Sequence, residues 1–461
     1  MKICMYIQDI SWEKTNEKVF HAHVRKAAKE KADLLVMPEG SYTPYTKMTG
    51  FFDISGDEGL DIMRGCGYTF SEKLGCPVVY GGIDMYGAVY SLYVNGANAK
   101  EDTFSRLYIK HTEAKYSPFF IKNYAKYQTT HLSPVKLKGK AMGLVAGEDI
   151  KHAAFARLFG QAGAEIIITN AKSGVDYNEW YLYSRARAVE NNCFVFCATA
   201  SEGKDGDAFS MGFTPQGRLM KFKSLIREGD AFPVAGNIRM YDTEDAAILD
   251  YTAEFAPEDT LKAGMFVKPS GLDELLGSAK ALDKGLYVKE QEGRNIVLCV
   301  LDGADILLPE AVLRLLYNPQ LSDIPDKKYI IINKWSEAPG AEMEEKLSAV
   351  LPVRAMENRA AVVMISPDKT AAFQRNAQGC PVVLSDSGEG FGIDLGEAGG
   401  PESIWVDIPD KMAAQWRAGY EKLIEVINGG ELAHDHDSDQ NEQDGSSVAG
   451  AIPECGFLDL L

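Results

Sequence analysis

The first half of the chain is built from continuous apolar runs, each closed by a polar or turn residue. Ala32-Asp-Leu-Leu-Val-Met-Pro38-Glu39-Gly40 ends in a carboxylate, and Leu107-Tyr108-Ile109-Lys110-His111-Thr112 runs out at a lysine. Ala141-Met-Gly-Leu-Val-Ala-Gly147-Glu148-Asp149-Ile150 breaks into a sharp turn. Uninterrupted runs of this kind predict strands covered on both faces. Val19 to Lys31 and Lys151 to Phe159 carry apolar residues at helical spacing instead. Strands alternating with helices predict an α/β fold with parallel sheets.

In such folds, polar groups at the carboxyl ends of strands line the functional crevice. A strand-turn-helix elbow is where an α/β enzyme presents a reactive side chain. Glu39 and Lys110 stand at strand ends, and the elbow offers Gly147, which has no side chain. Each residue alone has an ordinary role: a solvated carboxylate, a surface lysine, a turn glycine with φ above zero. Their order along the chain is what joins them.

That order resembles the nitrilase (carbon-nitrogen hydrolase) superfamily. Val78-Val79-Tyr80-Gly81-Gly82 is similar to the strand before the family's paired hairpin. Gly163-Ala-Glu-Ile-Ile-Ile-Thr-Asn170 is similar to the strand after its elbow helix. Arg185-Ala-Arg187-Ala-Val-Glu190-Asn191 resembles its Arg-Ala-x-Glu-Asn helix end, and Ser210 to Gly217 its closing hairpin. The resemblance covers residues 1 to about 255. It implies a four-layer α-β-β-α sandwich with Glu39 as general base and Lys110 as oxyanion stabiliser. Gly147 would sit where the family has a nucleophilic Cys, and the backbone N–H of Glu148 would be a second oxyanion donor. Glu148, Asn170, Lys172 and Ser173 are implied as binding residues by family position. Glu148-Asp149 follow the elbow as in the family's glutaminase-type branch. The second Glu that the family often places after the Lys has no clear match, Glu113 being close to Lys110.

Composition fits this class. The chain has 461 residues, 46% of them hydrophobic, and a formal net charge of −18. Bulk charge argues against nucleic acid or anionic membranes as partners. No apolar stretch is long enough for a bilayer span, and strand residues from Ile3 follow Met1 where a secretory signal would stand. Eight cysteines without paired metal spacing predict reduced thiols, no metal, no cofactor and a cytoplasmic protein. Cys193 and Cys197 lie on an apolar strand as core thiols.

Residues 256–293, with Pro257, Gly264, Pro269, Gly271 and Gly277, read as a connector. From 294 to 428 a smaller α/β segment echoes the second half of the first. Ile296-Val-Leu-Cys-Val-Leu-Asp-Gly303-Ala304-Asp305-Ile306 parallels the elbow run, Tyr329 to Ser336 parallels Ile166 to Ser173, and Arg354-Ala-Met-Glu357-Asn358 parallels Arg187 to Asn191. No counterpart of the Glu39 or Lys110 strand is seen, so this truncated half is expected to be structural or regulatory, occupying the helix face that the family uses to pair subunits or covering the pocket mouth. Residues 429–461 read as an acidic linker, including His434-Asp435-His436-Asp437, followed by an apolar peptide able to dock on its own domain, a sister subunit or another protein partner.

Three functions fit the sequence. One is an amidase, nitrilase or glutaminase-type hydrolase whose nucleophile has been removed. Another is a pseudoenzyme that binds a small amide- or nitrile-like molecule or scaffolds a partner, as a homo-oligomer. The third is an enzyme that works with water activated by Glu39.

Overall fold

The computed structural model describes residues 1–9, 24–39, 58–83, 89–97, 105–110, 134–172, 174–201, 208–226, 236–251, 265–267, 272–375, 381–384, 391–393 and 398–400. Two sheets make the N-terminal unit. The first runs in the order β5 (Ser105–Ile109), β4 (Val89–Val94), β3 (Val78–Ile83), β2 (Leu34–Glu39), β1 (Lys2–Asp9), β12 (Gly236–Asp242) and β11 (Lys223–Ser224). The second runs β6 (Val135–Leu137), β7 (Lys140–Ala146), β8 (Ile166–Ala171), β9 (Phe194–Ser201) and β10 (Ser210–Phe213). The sheets join where the end of β1 meets β9, at Gln8 opposite Ala200 and Asp9 opposite Ser201. β1, β2 and β3 are mutually parallel, as are β7, β8 and β9.

The continuous apolar runs follow from two-sided burial. Ile3 and Met5 of β1, with Leu34 and Val36 of β2, share a core with Leu144, Ile167 and Val195 of the opposite sheet. Cys4, Tyr6, Leu35 and Met37 face the other way. They pack with Phe70 and Leu74 of helix α1 (Glu58–Leu74) and with Val24 and Ala27 of the helical residues 24–29. Neither strand has a wet side, so neither can alternate. On the far face of the second sheet lie α2 (Ala153–Gln161) and α3 (Tyr177–Asn191). The unit is the expected α-β-β-α sandwich.

α3 begins at Asp176, whose carboxylate accepts from the Glu179 N–H, and ends at Asn192 in the left-handed conformation. This is the usual chemistry of a helix start and stop. The junction of β7 with α2 is tight, because an atom added at the Cα of Gly143 would lie 2.5 Å from Cγ of Phe159.

A seven-stranded sheet follows, in sequence order. It comprises β14 (Lys280–Asp283), β15 (Leu286–Gln291), β16 (Arg294–Asp302), β17 (Lys327–Lys334), β18 (Ala361–Ile365), β19 (Thr370–Arg375) and β20 (Pro381–Leu384). β16, β17 and β18 are parallel. Chain order adds β13 (Met265–Val267) and α4 (Leu272–Leu276) before this sheet, and β13 pairs with β21 (Phe391–Ile393). Helices α5 (Pro309–Leu316) and α6 (Ala341–Asn358) connect the three parallel strands. Residues 429–461 lie outside the described residues.

Gly143→Ala should lower the unfolding free energy by about 1–3 kcal/mol, since the methyl has no room beside the Phe159 ring. Denaturant melts of parent and variant check this, and an unchanged midpoint would show that α2 can slide off β7.

Candidate active site

Three strand ends and one turn converge. β2 ends at Glu39, β5 is followed by Lys110, and β7 is followed by the 3-10 turn Gly147–Lys151. β8 brings Asn170, then Lys172 just beyond its end. β5 reverses β4, which reverses β3, so β5 runs parallel to β2 and presents Lys110 at the same edge of the sheet.

At the elbow Ala146 is still extended, with φ −91° and ψ 129°, and Gly147 turns to φ +51°. Side chains adopt that left-handed φ at a cost, which glycine avoids. A Cβ placed on Gly147 would point between the two strand ends. It would lie 3.1 Å from Glu39 Oε2 and 3.5 Å from both Cδ and Cε of Lys110.

The charges are arranged around this point. Glu39, Lys110 and Glu148 are all buried, at 2%, 3% and 4% exposure. The Lys110 ammonium donates to Glu148 Oε2, and Lys172 Nζ lies 3.1 Å from Glu148 Oε1. Tyr108 on β5 donates from its hydroxyl to Asp149 Oδ2 at 2.7 Å, tying the lysine strand to the elbow turn.

Burial pushes the Glu39 carboxyl up to about 8, with Lys110 opposing it only in part. Burial also penalises the Glu148 carboxylate, but Lys110 and Lys172 outweigh that and bring it down to about 2. Burial disfavours the Lys110 ammonium, yet Glu148 and Glu39 hold it charged, above its ordinary range. The site therefore contains one permanent ion pair and one carboxyl poised near neutral pH, where a general base works best.

Asn170 sits behind this group, fully buried. A Cβ on Gly81 would lie 2.5 Å from Asn170 Nδ2 and 2.9 Å from the Glu39 Cα, so the amide is pressed against the backbone of β3 beside Glu39. Among the described residues neither its Nδ2 nor its Oδ1 has a hydrogen-bond partner. Lys172 is half-exposed at the rim. Ser173 and the stretch 111–133, which includes Glu113, lie outside the described residues.

The residues that sequence order singled out, Glu39, Lys110 and Gly147, do come together. Sequence order implies a binding role and a backbone N–H for Glu148, and the structure adds that its carboxylate is the buried partner of Lys110. Tyr108 was not singled out at all. A signal for Glu148 existed, since an acidic residue in a buried elbow needs a cation.

The second unit has its own elbow, of different content. Asp302 is extended at φ −93° and ψ 129°, and Gly303 turns to φ +51°. Asn333 Nδ2 donates to the Gly303 carbonyl at 2.8 Å, and Trp335 Nε1 donates to Asn333 Oδ1 at 2.6 Å. The indole lies 4.0 Å from where a Gly303 Cβ would stand, and Ala304 follows where the first elbow has Glu148.

Residues 11–225 match the family model described as carbon-nitrogen hydrolase. This matched segment, a little under half of the chain, is what is similar to the carbon-nitrogen hydrolase (nitrilase) superfamily. Solved structures similar to the chain include the NitN amidase from Neterenkonia sp. AN1, at 16% identity and TM-score 0.39, over 53% of this chain and 93% of that one. Another is a mutant of the amidase from Nesterenkonia sp. AN1 in complex with butyramide, at 16% identity and TM-score 0.37, over 52% of this chain and 89% of that one. No curated protein matches. Among the described residues, no three His, Cys, Asp or Glu side chains are placed to hold a metal ion, and no helix is long and apolar enough to cross a membrane.

The Glu39 shift has a definite sign. Its folded value near 8 lies above an unfolded value near 4.3, so its contribution to stability is complete at low pH and is lost as pH rises through 8. Glu39→Gln should flatten the fall in Tm between about pH 5 and about pH 8.5. Thermal melts across that window check it, and parallel curves for the two proteins would mean that Glu39 ionises freely inside the fold.

Proposed function

We propose that this chain is a carbon-nitrogen hydrolase without a nucleophile, a pseudoenzyme whose hydrolase unit binds a small amide-like molecule. The observation that carries this reading is the direction of position 147: its missing side chain points between the Glu39 carboxyl and the Lys110 side chain. In amide hydrolysis by a cysteine, a thiolate attacks the carbonyl carbon while a carboxyl moves the proton. A cation and backbone N–H groups hold the developing oxyanion. Glu39 has the burial and the poise for the proton, Lys110 the charge, and Glu148 the N–H that follows the elbow. Position 147 supplies no atom to attack with. Losing the nucleophile of such a set costs on the order of 10⁴- to 10⁶-fold in rate. Binding survives that loss, because an amide oxygen and nitrogen are recognised by the groups that remain.

A second reading is favoured by the same buried set. The Lys110–Glu148 pair and the raised Glu39 carboxyl make a frame still fit for catalysis. On this reading the chain is an amidase, nitrilase or glutaminase-type hydrolase with its thiol removed, and returning the thiol restores turnover. The strain of a side chain at φ +51° is roughly 1–2 kcal/mol, which a folded elbow can bear.

Ammonia release from a panel of short amides and nitriles, beginning with butyramide and acrylamide, separates the readings when combined with binding calorimetry. The parent chain is expected to bind a member of the panel with no ammonia above background, and Gly147→Cys to bind without gaining turnover. Turnover in Gly147→Cys alone would favour the thiol-less hydrolase. Release by the parent, abolished by Glu39→Gln, would point to water as the nucleophile. Neither binding nor turnover in either protein would sink both readings.

A further inference from the structure

We infer that the second α/β unit is an internal copy of the elbow half of the hydrolase unit, docked on its α2–α3 face about a pseudo-twofold axis, so that this chain fills from within the surface through which two such units would pair. The buried arginines show the correspondence. Arg187 on α3 donates from Nε to the Ile150 carbonyl at 2.8 Å, from Nη2 to the Lys151 carbonyl at 2.8 Å, and from Nη1 to both oxygens of Glu190. Arg354 on α6 repeats this. Its Nε donates to the Ile306 carbonyl at 3.1 Å, its Nη2 to the Leu307 carbonyl at 3.4 Å, and its Nη1 to Glu357. Asn191 Nδ2 donates to the Arg187 carbonyl and Asn358 Nδ2 to the Arg354 carbonyl, at 2.9 and 3.0 Å. Both helices close on a left-handed residue, Asn192 and Arg359. The topology repeats too, since β16-α5-β17-α6-β18 has the order and parallel pairing of β7-α2-β8-α3-β9.

The contacts between the units are reciprocal. Arg187 pairs with Glu357 of the second unit, and Arg354 pairs with Glu190 of the first at 2.7 Å. α3 packs on α6, and α2 on α5. When residue i of one unit meets residue j of the other, and j meets i, the relation is that of a twofold interface. All four charged side chains are within 7% of full burial, and two positive charges meet two negative ones.

Around this symmetric centre lie pairs that run one way only. Arg157 donates to Glu310 at 2.8 and 3.0 Å, Arg218 to Glu345 at 2.9 Å, and Arg185 to the Ser348 hydroxyl at 2.9 Å. The cations are all on the hydrolase unit and the carboxylates all on the second. In the internal alignment Glu310 falls at Ala154 and Glu345 at Asn178. A second hydrolase unit on this face would therefore leave Arg157 and Arg218 without their carboxylates. One-way charge complementarity of this kind selects the unlike partner over the like one. The occupant of the face is the chain's own residues 294–365.

The test uses the full chain carrying Arg185→Cys and Ser348→Cys together, treated with a short bis-maleimide and run on a denaturing gel. The parent is the control for reaction at its own thiols, of which Cys4, Cys76, Cys193, Cys197 and Cys299 are buried. The expected product is a crosslinked monomer of altered mobility. A crosslinked dimer would show that the face pairs between copies, and absence of any crosslink would show that the two helices do not meet; either result overturns the inference. A second measurement covers a pair that disturbs folding. Glu190→Gln and Glu357→Gln should each lower Tm by roughly 10 °C, because each leaves a guanidinium short of charge, and the double variant should fall by less than the sum. A neutral Glu357→Gln beside a damaging Glu190→Gln would mean that the second unit takes no part in the cluster.

Discussion

A fully buried guanidinium, that of Arg187, joins the parts of this molecule that matter. It holds the carbonyls of Ile150 and Lys151 at the end of the elbow turn, the carboxylate of its own helix and a carboxylate from the second unit. A buried arginine is tolerable only when its donors are filled and its charge is matched. Both conditions are met by groups that no single element could supply. The consequence is geometric: the turn that follows Gly147 is fastened to α3 and, through Glu357, to the second unit. Arg354 imposes the same requirement from the other side, so neither elbow can shift without uncovering a charge.

The site in front of that turn obeys the same economy. The Lys110 ammonium and the Glu148 carboxylate neutralise each other in a buried crevice, and Lys172 reaches the outer oxygen of that carboxylate from the rim. Glu39, left as the next carboxyl in the same volume, holds its proton more tightly than it would in water. Three ionisable groups thus settle into distinct roles through burial and the charges they share. That is the electrostatic content of a hydrolase site whether or not a thiol completes it, and it explains why a chain lacking the side chain at 147 can keep the rest without strain. Removing Glu148 would strand a buried lysine, so this pair is retained for stability even where it is idle in chemistry.

Much of this was legible in the chain because strand ends are legible. An apolar run that stops at Glu39, one that stops at Lys110 and one that stops at a glycine-containing turn state where polar groups must emerge. Parallel sheets then bring those ends to one edge. The repeated Arg-Ala-x-Glu-Asn helix end was visible twice for the same reason: it is local. What depended on side-chain direction was not legible. In a 3-10 turn the residue after Gly147 can face either way, and only the fold shows the Glu148 carboxylate turned inward to Lys110. Tyr108 looked like a strand residue, and its bond to Asp149 spans 41 positions. The strands β14 and β15 sit in a stretch marked by glycine and proline, and the pairing of β14 with β15 and of β15 with β16 comes from tight hairpins rather than from long apolar runs.

The two elbows share a backbone device and differ in what surrounds it. Both turn at φ +51° after an extended residue, so the backbone device is the same. In the first, the opposing sheet supplies Glu39 and Lys110, and the space above the glycine is lined by polar groups that resist filling with hydrocarbon. In the second, no opposing sheet of that kind faces the turn among the described residues, and Trp335 lies over Gly303 with its N–H satisfied by Asn333. An indole there satisfies the turn's polar neighbour and covers the glycine at once, which no ligand need do. The difference between the two turns therefore lies in what the partner sheet brings to them, and not in the elbow itself.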